Sequence, residues 1–237
     1  MMDILYVLTY SNWNNNELKY SLRSLEKFGK NIGKIYICGY KPNFINYNSV
    51  IHVPFEEKKD CCRNTRDKIF HVCKNIDISE NFVLFNDDFY LLEELDLNNI
   101  PKYSKGIIEH KSESYFEKML LLTEYFLKEN KKTNFDYEVH IPCEFNKSIL
   151  LNDIYKIYEQ WEKPKPEYSL SLRSLYFNWI NAVPTIIRDN KIAKDYPSID
   201  KVLNIKNFLS TCDNIQECKY LIKYLENNFF IKSKWEK

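Results

Sequence analysis

Apolar and polar positions alternate along this chain in blocks that predict strands and helices in turn. Ile4-Leu5-Tyr6-Val7-Leu8-Thr9 is a β-rich run followed by the polar loop Tyr10-Ser11-Asn12-Trp13-Asn14-Asn15-Asn16. Leu18, Leu22, Leu25 and Phe28 then recur at spacings of four, three and three, which predicts an amphipathic helix over 17–28 that Gly29 stops. Lys34–Cys38 and Val50–Pro54 read as further strands, and 64–73 as a helix with Ile69, Val72 and Cys73 inward. The run Asn81-Phe82-Val83-Leu84-Phe85 is apolar without alternation, as a strand buried on both faces must be. Strands alternating with helices at this spacing predict an α/β architecture with a mostly parallel sheet and right-handed crossovers.

That last strand ends in Asn86-Asp87-Asp88. In open α/β sheets ligands bind beyond the carboxyl ends of the strands, so the two acids sit where a ligand is expected. Adjacent carboxylates repel unless a proton or a cation lies between them, and hard oxygen ligands suit Mg²⁺ or Mn²⁺ carrying phosphates. The bland alternative is an Asn-Asp-Asp turn that caps the next element.

Further along, Phe135, Tyr137 and Val139 alternate with polar residues up to His140, which ends an extended segment before Pro142. An imidazole there can take a proton near neutral pH. The same two-residue period puts Glu138 and Asp136 on the face of His140, where either could orient the ring or act as the base. Ser114–Leu127 is a strongly apolar helix expected to pack against the sheet. Ser148–Trp161 and Ser171–Ile180 read as helices, with Pro164-Lys165-Pro166 a rigid break between them. Ile186–Lys194 reads as a short strand or hairpin arm, Lys201–Leu209 as extended, and Ser210-Thr211-Cys212-Asp213 as a cap for a helix over 215–227.

Composition narrows the chemistry. Among 237 residues there are only 4 Gly, which removes Gly-rich phosphate loops from consideration, so a phosphate must be held by other means. Arg66 and Arg173 are the leading guanidinium candidates, with Arg63 next. A net charge of +1 provides no global field for nucleic acid or anionic lipid. The seven cysteines are odd in number and form no Cys-x-x-Cys pair, so they read as reduced thiols, and a metal site from Cys61, Cys62, His71 and Cys73 matches no common spacing. His52 and His71 lack a nearby partner carboxylate and read as structural. The opening residues carry neither a signal peptide nor a membrane-spanning run, so a soluble, intracellular, cytoplasmic protein is expected.

The block Glu17–Lys27, Lys34–Ile37, Asn64-x-Arg66-Asp67 and Phe82-Val-Leu-Phe-Asn-Asp-Asp-Phe-Tyr90 resembles the second conserved region of the Stealth family of sugar-phosphate transferases, whose domain is similar to the GT-A nucleotide-sugar fold. Asp136–Lys147 is similar to that family's His-x-Pro segment, which precedes a helix start, and Ser171–Tyr176 to its downstream Arg-containing helix. The resemblance covers about residues 17 to 180.

It implies a GT-A-like sheet flanked by helices with a helical C-terminal extension. It implies Asp87 and Asp88 as ligands of Mn²⁺ or Mg²⁺ on the diphosphate of a sugar nucleotide, and active-site roles for His140 and Arg173 beside Glu138. Thr9, Tyr10, Asn64, Arg66 and Asn86 are the expected substrate-binding residues, with Trp13 or Tyr10 available to stack on the base. The family's opening Asp-Gly-Ser-Asp is replaced by Thr9-Tyr10-Ser11-Asn12, which tilts the expectation from sugar-phosphate transfer towards glycosyl transfer. A single domain over 1–237 is expected, with 1–110 binding the nucleotide-diphosphate sugar donor and 111–237 on the acceptor side. The acceptor could be a glycan, a polymer or a modified nucleic acid, and a non-catalytic module that binds sugar nucleotides or glycans is the alternative from another class.

Overall fold

The apolar run at the chain start becomes strand β1 (Met2–Leu8), and its two faces account for the layers around it. Ile4, Tyr6 and Leu8 pack with Leu18, Leu22 and Leu25 of helix α1 (Asn16–Phe28), while Leu5 packs on the other side with Ile69 and Val72 of α2 (Cys61–Asn75). Side chains two apart share a face of a strand, so helices on both sides demand a continuous apolar run. The computed structural model describes residues 1–57, 61–109, 112–161, 167–189, 191–192, 207–211 and 215–237, without the side chains of 61 and 62.

Short strand β2 (Gly29–Lys30) follows α1 directly, then β3 (Ile32–Gly39), β4 (Ile51–Val53) and, after α2, β5 (Asn81–Phe85). Gly29 does end the helix, but in extended conformation (φ −77), and the chain continues as β2 paired with β7 (Leu95–Asp96). Between these lie β6 (Phe89–Leu91) and, further on, β8 (Tyr103–Ser104), helix α3 (Tyr115–Glu129) and β9 (Cys143–Asn146). The main sheet runs β4-β3-β1-β5-β9, with the first four strands parallel and β9 antiparallel to β5. The chain lays β3 and β4 to one side of β1 and β5 to the other. The topological switch point therefore lies between β1 and β5, and the chain leaves their carboxyl ends in opposite directions, opening a crevice there.

The second half is stitched into the first. Helix α4 (Lys147–Ile149) runs through a π turn at Leu150–Ile154 into α5 (Tyr155–Trp161), so the expected 148–161 helix forms with one wide turn inside it. Helix α3, capped by the Ser114 hydroxyl, packs on α6 (Leu172–Trp179) rather than flat on the sheet. Beyond α6, β10 (Thr185–Ile186) pairs with β8, whereas β11 (Lys191–Ile192) pairs with β12 (Phe208–Thr211), which in turn pairs antiparallel with β6. The stretch read as one strand or hairpin arm over 186–194 thus serves two sheets, with 190 and 193–194 outside the described residues.

Ser210 and Thr211 are strand residues and not a helix cap; 212–213 lie outside the described residues, as do 201–206 and Pro164-Lys165-Pro166. A 3-10 turn at Ile215–Glu217 leads into α7 (Lys219–Asn228), which packs on Tyr90 and Leu209. The tail returns to the N-terminal half, where the Glu236 carboxylate takes two hydrogen bonds from the Arg23 guanidinium at 2.8 and 2.7 Å. No helix among the described residues is long and apolar enough to cross a membrane.

Candidate active site

The crevice at the switch point is a cleft of about 450 Å³. The turn after β5 supplies Asn86, Asp87 and Asp88 to its floor, and the loop after β1 supplies Thr9, Tyr10, Ser11 and Asn12. His140, Lys191 and Thr211 close the far wall. Strand β5 stops at Phe85 because the chain turns there, the Phe89 amide donating to the Asn86 carbonyl at 3.3 Å, and returns as β6. Pairing of β6 with β12 then brings Ser210 against the acids, where its hydroxyl donates to Asp88 Oδ2 at 2.7 Å.

The asparagine run shapes the opposite wall. Asn14 and Asn15 both sit at φ 55, a left-handed conformation that asparagine tolerates better than most residues. Asn15, fully buried, donates to the Thr9 carbonyl at 2.7 Å and accepts from the Ser11 amide at 3.3 Å, tying the loop back on itself. Ser11 in turn donates to Glu17 at 2.9 Å, so a third carboxylate reaches the cleft from α1.

Burial raises the Asp87 carboxyl well above the usual carboxylate range, and the neighbouring charges of Asp88 and Glu17 add to it. Asp88 is raised too, by burial, although the Ser210 hydroxyl and the nearby His140 and Lys191 pull it back. Among the described residues no group of three His, Cys, Asp or Glu side chains stands ready to hold a metal alone. Two carboxylates nevertheless fit a cation such as Mg²⁺ or Mn²⁺, which is commonly held by one or two carboxylates together with substrate phosphates.

His140 faces the acids from the other side. Its Nδ1 lies 2.9 and 2.8 Å from the two oxygens of Asp189, and its backbone amide donates to the same carboxylate at 3.2 Å. The Lys105 ammonium lies 3.3 Å from Asp189 and 3.5 Å from Asp136. Burial disfavours the Asp189 charge, yet the hydrogen bond and charge of His140, with Lys105, outweigh it and hold the carboxyl below the usual range.

Strand alternation places Glu138 or Asp136 on the imidazole; the structure puts Asp189 there. The alternation fails because 136–142 is not a regular strand: its amides bond to the Gly106 carbonyl and, at Ile141, to Val139 two residues back. Glu138 is turned to the start of α6, accepting from the Ser171 hydroxyl and from the Ser174 amide at 3.0 Å, where a helix N-terminus favours a carboxylate. The His-x-Pro segment leads into β9, and a helix starts only after it.

The two arginines are engaged as well. Arg173 donates to the carbonyls of Val139 and Ile141 at 2.6 and 3.1 Å, bracketing His140, and its guanidinium packs over Phe89. Arg66 pairs with Asp67 at 2.7 Å, donates to the Ser169 hydroxyl at 2.9 Å and lies over Tyr158. Neither lines the cleft with Asp87 and Asp88. Both line a smaller lobe of about 260 Å³ that opens from it and shares Thr65, Asn86 and His140. Asn64 is buried and borders neither lobe, its place being taken by Thr65. Trp13 stacks on Tyr20 in the core under α7, so of the two aromatics expected near a base only Tyr10 lines the cleft.

Under the cleft lies a residue that pattern reading passes over. Lys68, only 1% exposed, donates to the Leu8 carbonyl at 2.7 Å, to Thr9 Oγ1 at 3.0 Å and to Glu57. Thr9 spends its own hydroxyl hydrogen on Glu57 at 2.6 Å, leaving its backbone and methyl to face the cleft. Gly39 makes the space: a Cβ there would meet the Leu8 carbonyl at 2.2 Å and Lys68 Nζ at 3.0 Å.

The capsular polysaccharide phosphotransferase WcwK of Streptococcus pneumoniae is 26% identical over 93% of this chain and 85% of its own length. The capsular polysaccharide phosphotransferase CpsJ of Streptococcus thermophilus is 27% identical over 68% of this chain and 59% of its own. The receptor polysaccharide phosphotransferase WefC of Streptococcus gordonii is 28% identical over 72% and 57%. The chain is thus similar to capsular and receptor polysaccharide phosphotransferases.

No family model matches the sequence. Among solved structures, the galactosyltransferase LgtC, in complex with donor and acceptor sugar analogues, superimposes with a TM-score of 0.56 at 10% identity and 98% coverage of both chains. The mixed, parallel-rich sheet flanked by helices is thus the GT-A glycosyltransferase fold, and with these homologues it marks the chain as an enzymatic transferase.

Proposed function

We propose that this transferase is cation-dependent and moves the sugar-1-phosphate of a nucleotide-diphosphate sugar to an acceptor hydroxyl. The observation that carries the reading is the Asp87–Asp88 pair of adjacent carboxylates in the switch-point cleft, a donor set that fits a divalent cation. Homology to phosphotransferases over 93% of the chain supports the choice of group transferred.

Asp87 and Asp88 would hold Mn²⁺ or Mg²⁺ against the diphosphate. Such an ion, when bound, neutralises the charge that develops on the leaving phosphate. The Thr9–Asn12 wall takes the nucleoside, with Tyr10, 54% exposed, offering its ring to the base. Asn86 sits at the junction of the two lobes, and Lys191 adds positive charge on the far wall.

With Nδ1 committed to Asp189, His140 presents Nε2 to the acceptor and takes the hydroxyl proton. The acceptor oxygen bonds to the phosphorus that carries the sugar, the bridging P–O bond breaks, and the nucleoside monophosphate leaves with the electron pair. Arg173 acts here through His140, by fixing the carbonyls on either side of it. Lys191 and Thr211 line the same cleft, so in this reading 1–110 is the larger and not the sole contributor to the donor site. A cytoplasmic location is part of the same proposal, since nucleotide sugars must reach the cleft.

Glycosyl transfer is the second reading, favoured by the absence of Asp-Gly-Ser-Asp at Thr9–Asn12 and by the likeness to a galactosyltransferase fold. Mass spectrometry of a nucleotide-sugar panel incubated with the protein and Mn²⁺ separates the two. Nucleoside monophosphate in the products supports phosphotransfer, and nucleoside diphosphate supports glycosyl transfer. If all donors stay intact even when glycan acceptors are added, the transferase reading fails at this site.

A further inference from the structure

The guanidinium of Arg173 is only half engaged. Its Nη1 donates to the Val139 and Ile141 carbonyls, which leaves Nε and Nη2 without a hydrogen bond to any described residue. Those two nitrogens form one edge of the planar fork, with their N–H groups side by side. Arg173 is 8% exposed and lines the smaller lobe, so the free edge is presented there. Glu138 is divided in the same way: the Ser171 hydroxyl and the Ser174 amide both donate to Oε1, and Oε2 accepts from none of the described residues. The lobe therefore holds a double donor and a charged acceptor, set among Phe89, Phe116, Met119 and Leu172.

This mixture matches one face and one edge of a sugar ring. Adjacent hydroxyl oxygens on a pyranose are close enough to accept one N–H each from a guanidinium edge, and one of them then has its own O–H to give to Glu138 Oε2. The C–H face of the ring covers the apolar wall. A carboxylate or phosphate would suit the arginine edge but would meet the Glu138 charge, so neutral hydroxyls are the better match. His140 lines both the lobe and the main cleft, whereas Asp87 and Asp88 line only the main cleft. A ring seated in the lobe is thus beside the base and apart from the acids assigned to the donor.

We propose that the smaller lobe is the acceptor's sugar subsite, and that Nε and Nη2 of Arg173 together with Oε2 of Glu138 select a ring carrying two adjacent free hydroxyls. Assignment to the acceptor rests on the transferase reading above, but the hydroxyl selectivity is measured without turnover.

The test reads binding of the methyl glycosides of glucose, galactose and mannose to the full chain by saturation-transfer NMR and competition, with Mg²⁺ and a nucleoside diphosphate present to fill the donor side. Each glycoside that binds is compared with the analogues that lack one ring hydroxyl. Removing either of two adjacent hydroxyls should weaken binding about tenfold or more, as loss of a hydrogen bond to a charged group does, and removing the others by less than about threefold. Glu138→Gln keeps an oxygen for Ser171 and Ser174 but offers an amide N–H where Oε2 stood. It should weaken the parent glycoside about tenfold and the analogue lacking the matching hydroxyl hardly at all. Arg173→Lys keeps a cation for the Val139 and Ile141 carbonyls but has no second edge, and should flatten the preference for the pair.

Failure of all three glycosides to bind overturns the proposal, as do losses spread evenly around the ring or a preference that survives both substitutions. The same hydroxyl pattern found on the sugar of a sugar nucleotide, and not on the glycosides, would overturn the assignment to the acceptor. Absence of turnover with the hydroxyl pattern intact counts against the transferase reading alone, and turnover without the pattern counts against this subsite alone.

Discussion

The carboxylates in the cleft and the one that holds His140 at its edge lie under opposite electrostatic conditions. Asp87 and Asp88 stand side by side on the floor; burial raises the proton affinity of both, and the charges of Asp88 and Glu17 raise that of Asp87 further. Asp189, bonded to His140 Nδ1, is also partly buried, yet His140 and Lys105 lower its proton affinity. Burial alone therefore does not decide the protonation state; the presence of a cationic partner does. Asp189, directly bonded to its imidazole, is a positioning element, whereas His140 and Lys191 only partly offset the burial of Asp88 and leave the floor pair suited to a cation.

The largest expected effect breaks the floor pair. Asp87→Asn combined with Asp88→Asn should lower transfer by at least about 10²-fold. The same substitutions should raise the melting temperature at pH 7 in the absence of metal, because they remove a repulsion that folding has to overcome. Product assays and thermal melts on one preparation check both signs.

The pH dependence sharpens the contrast. A carboxyl whose folded pKa is raised contributes stability that is fully present below its ordinary value of about 4 and is lost as pH rises through the raised value. Asp189 is the reverse case: its contribution is present above about 4 and is lost as pH falls through its lowered value. Metal-free protein should thus lose stability between mildly acidic and neutral pH, and Mn²⁺ with a nucleoside diphosphate should restore it by an increment that grows with pH as the cation displaces the proton. Melting curves from pH 5 to 8 measure the increment.

Asp189→Asn should act less on stability than on rate. Loss of the ring's partner should reduce kcat on the order of 10²-fold and shift the acidic limb of the pH–rate profile, which the general base sets, with donor KM little changed. Smaller again is Lys68→Met, which removes the buried donor shared by the Leu8 carbonyl, Thr9 Oγ1 and Glu57 and leaves that carbonyl to the Tyr40 amide. A stability loss of about 1–3 kcal/mol and a several-fold rise in donor KM are expected, measured by denaturant titration and initial rates.

Much of this was legible in local pattern because burial imposes it locally. The continuous runs of β1 and β5, the four-three-three spacing of α1 and the inward stripe of α2 each answer to a neighbouring layer, and the acids fall at the strand tip that parallel topology makes a ligand site. What pattern could not supply depends on contacts distant in sequence. Asp189 reaches His140 from 49 residues away, and Ser210 reaches Asp88 from 122; no spacing rule links either pair. Glu138 misleads because alternation holds only where a ladder holds the strand, and 136–142 has none.

Lys68 left a trace: it lies four residues before Val72, in the buried stripe of α2, where an unpaired lysine would be too costly. The Asn14–Asn15 run left another, since tandem asparagines suit left-handed backbone as well as they suit a binding loop. Arg66 and Arg173 show the limit of residue type as evidence, because a guanidinium fork fits carbonyls, a carboxylate and a hydroxyl here as readily as it fits phosphate.

The central claim is that Asp87 and Asp88 hold a divalent cation under the donor's diphosphate. Electron paramagnetic resonance of free Mn²⁺, titrated with the protein in the presence and absence of a nucleoside diphosphate, tests it most directly. The account predicts weak binding of Mn²⁺ alone, tight binding with the nucleotide, and loss of the tight site in the Asp87→Asn, Asp88→Asn double variant. Tight binding that persists unchanged in the double variant, or no binding even with the nucleotide present, would contradict it.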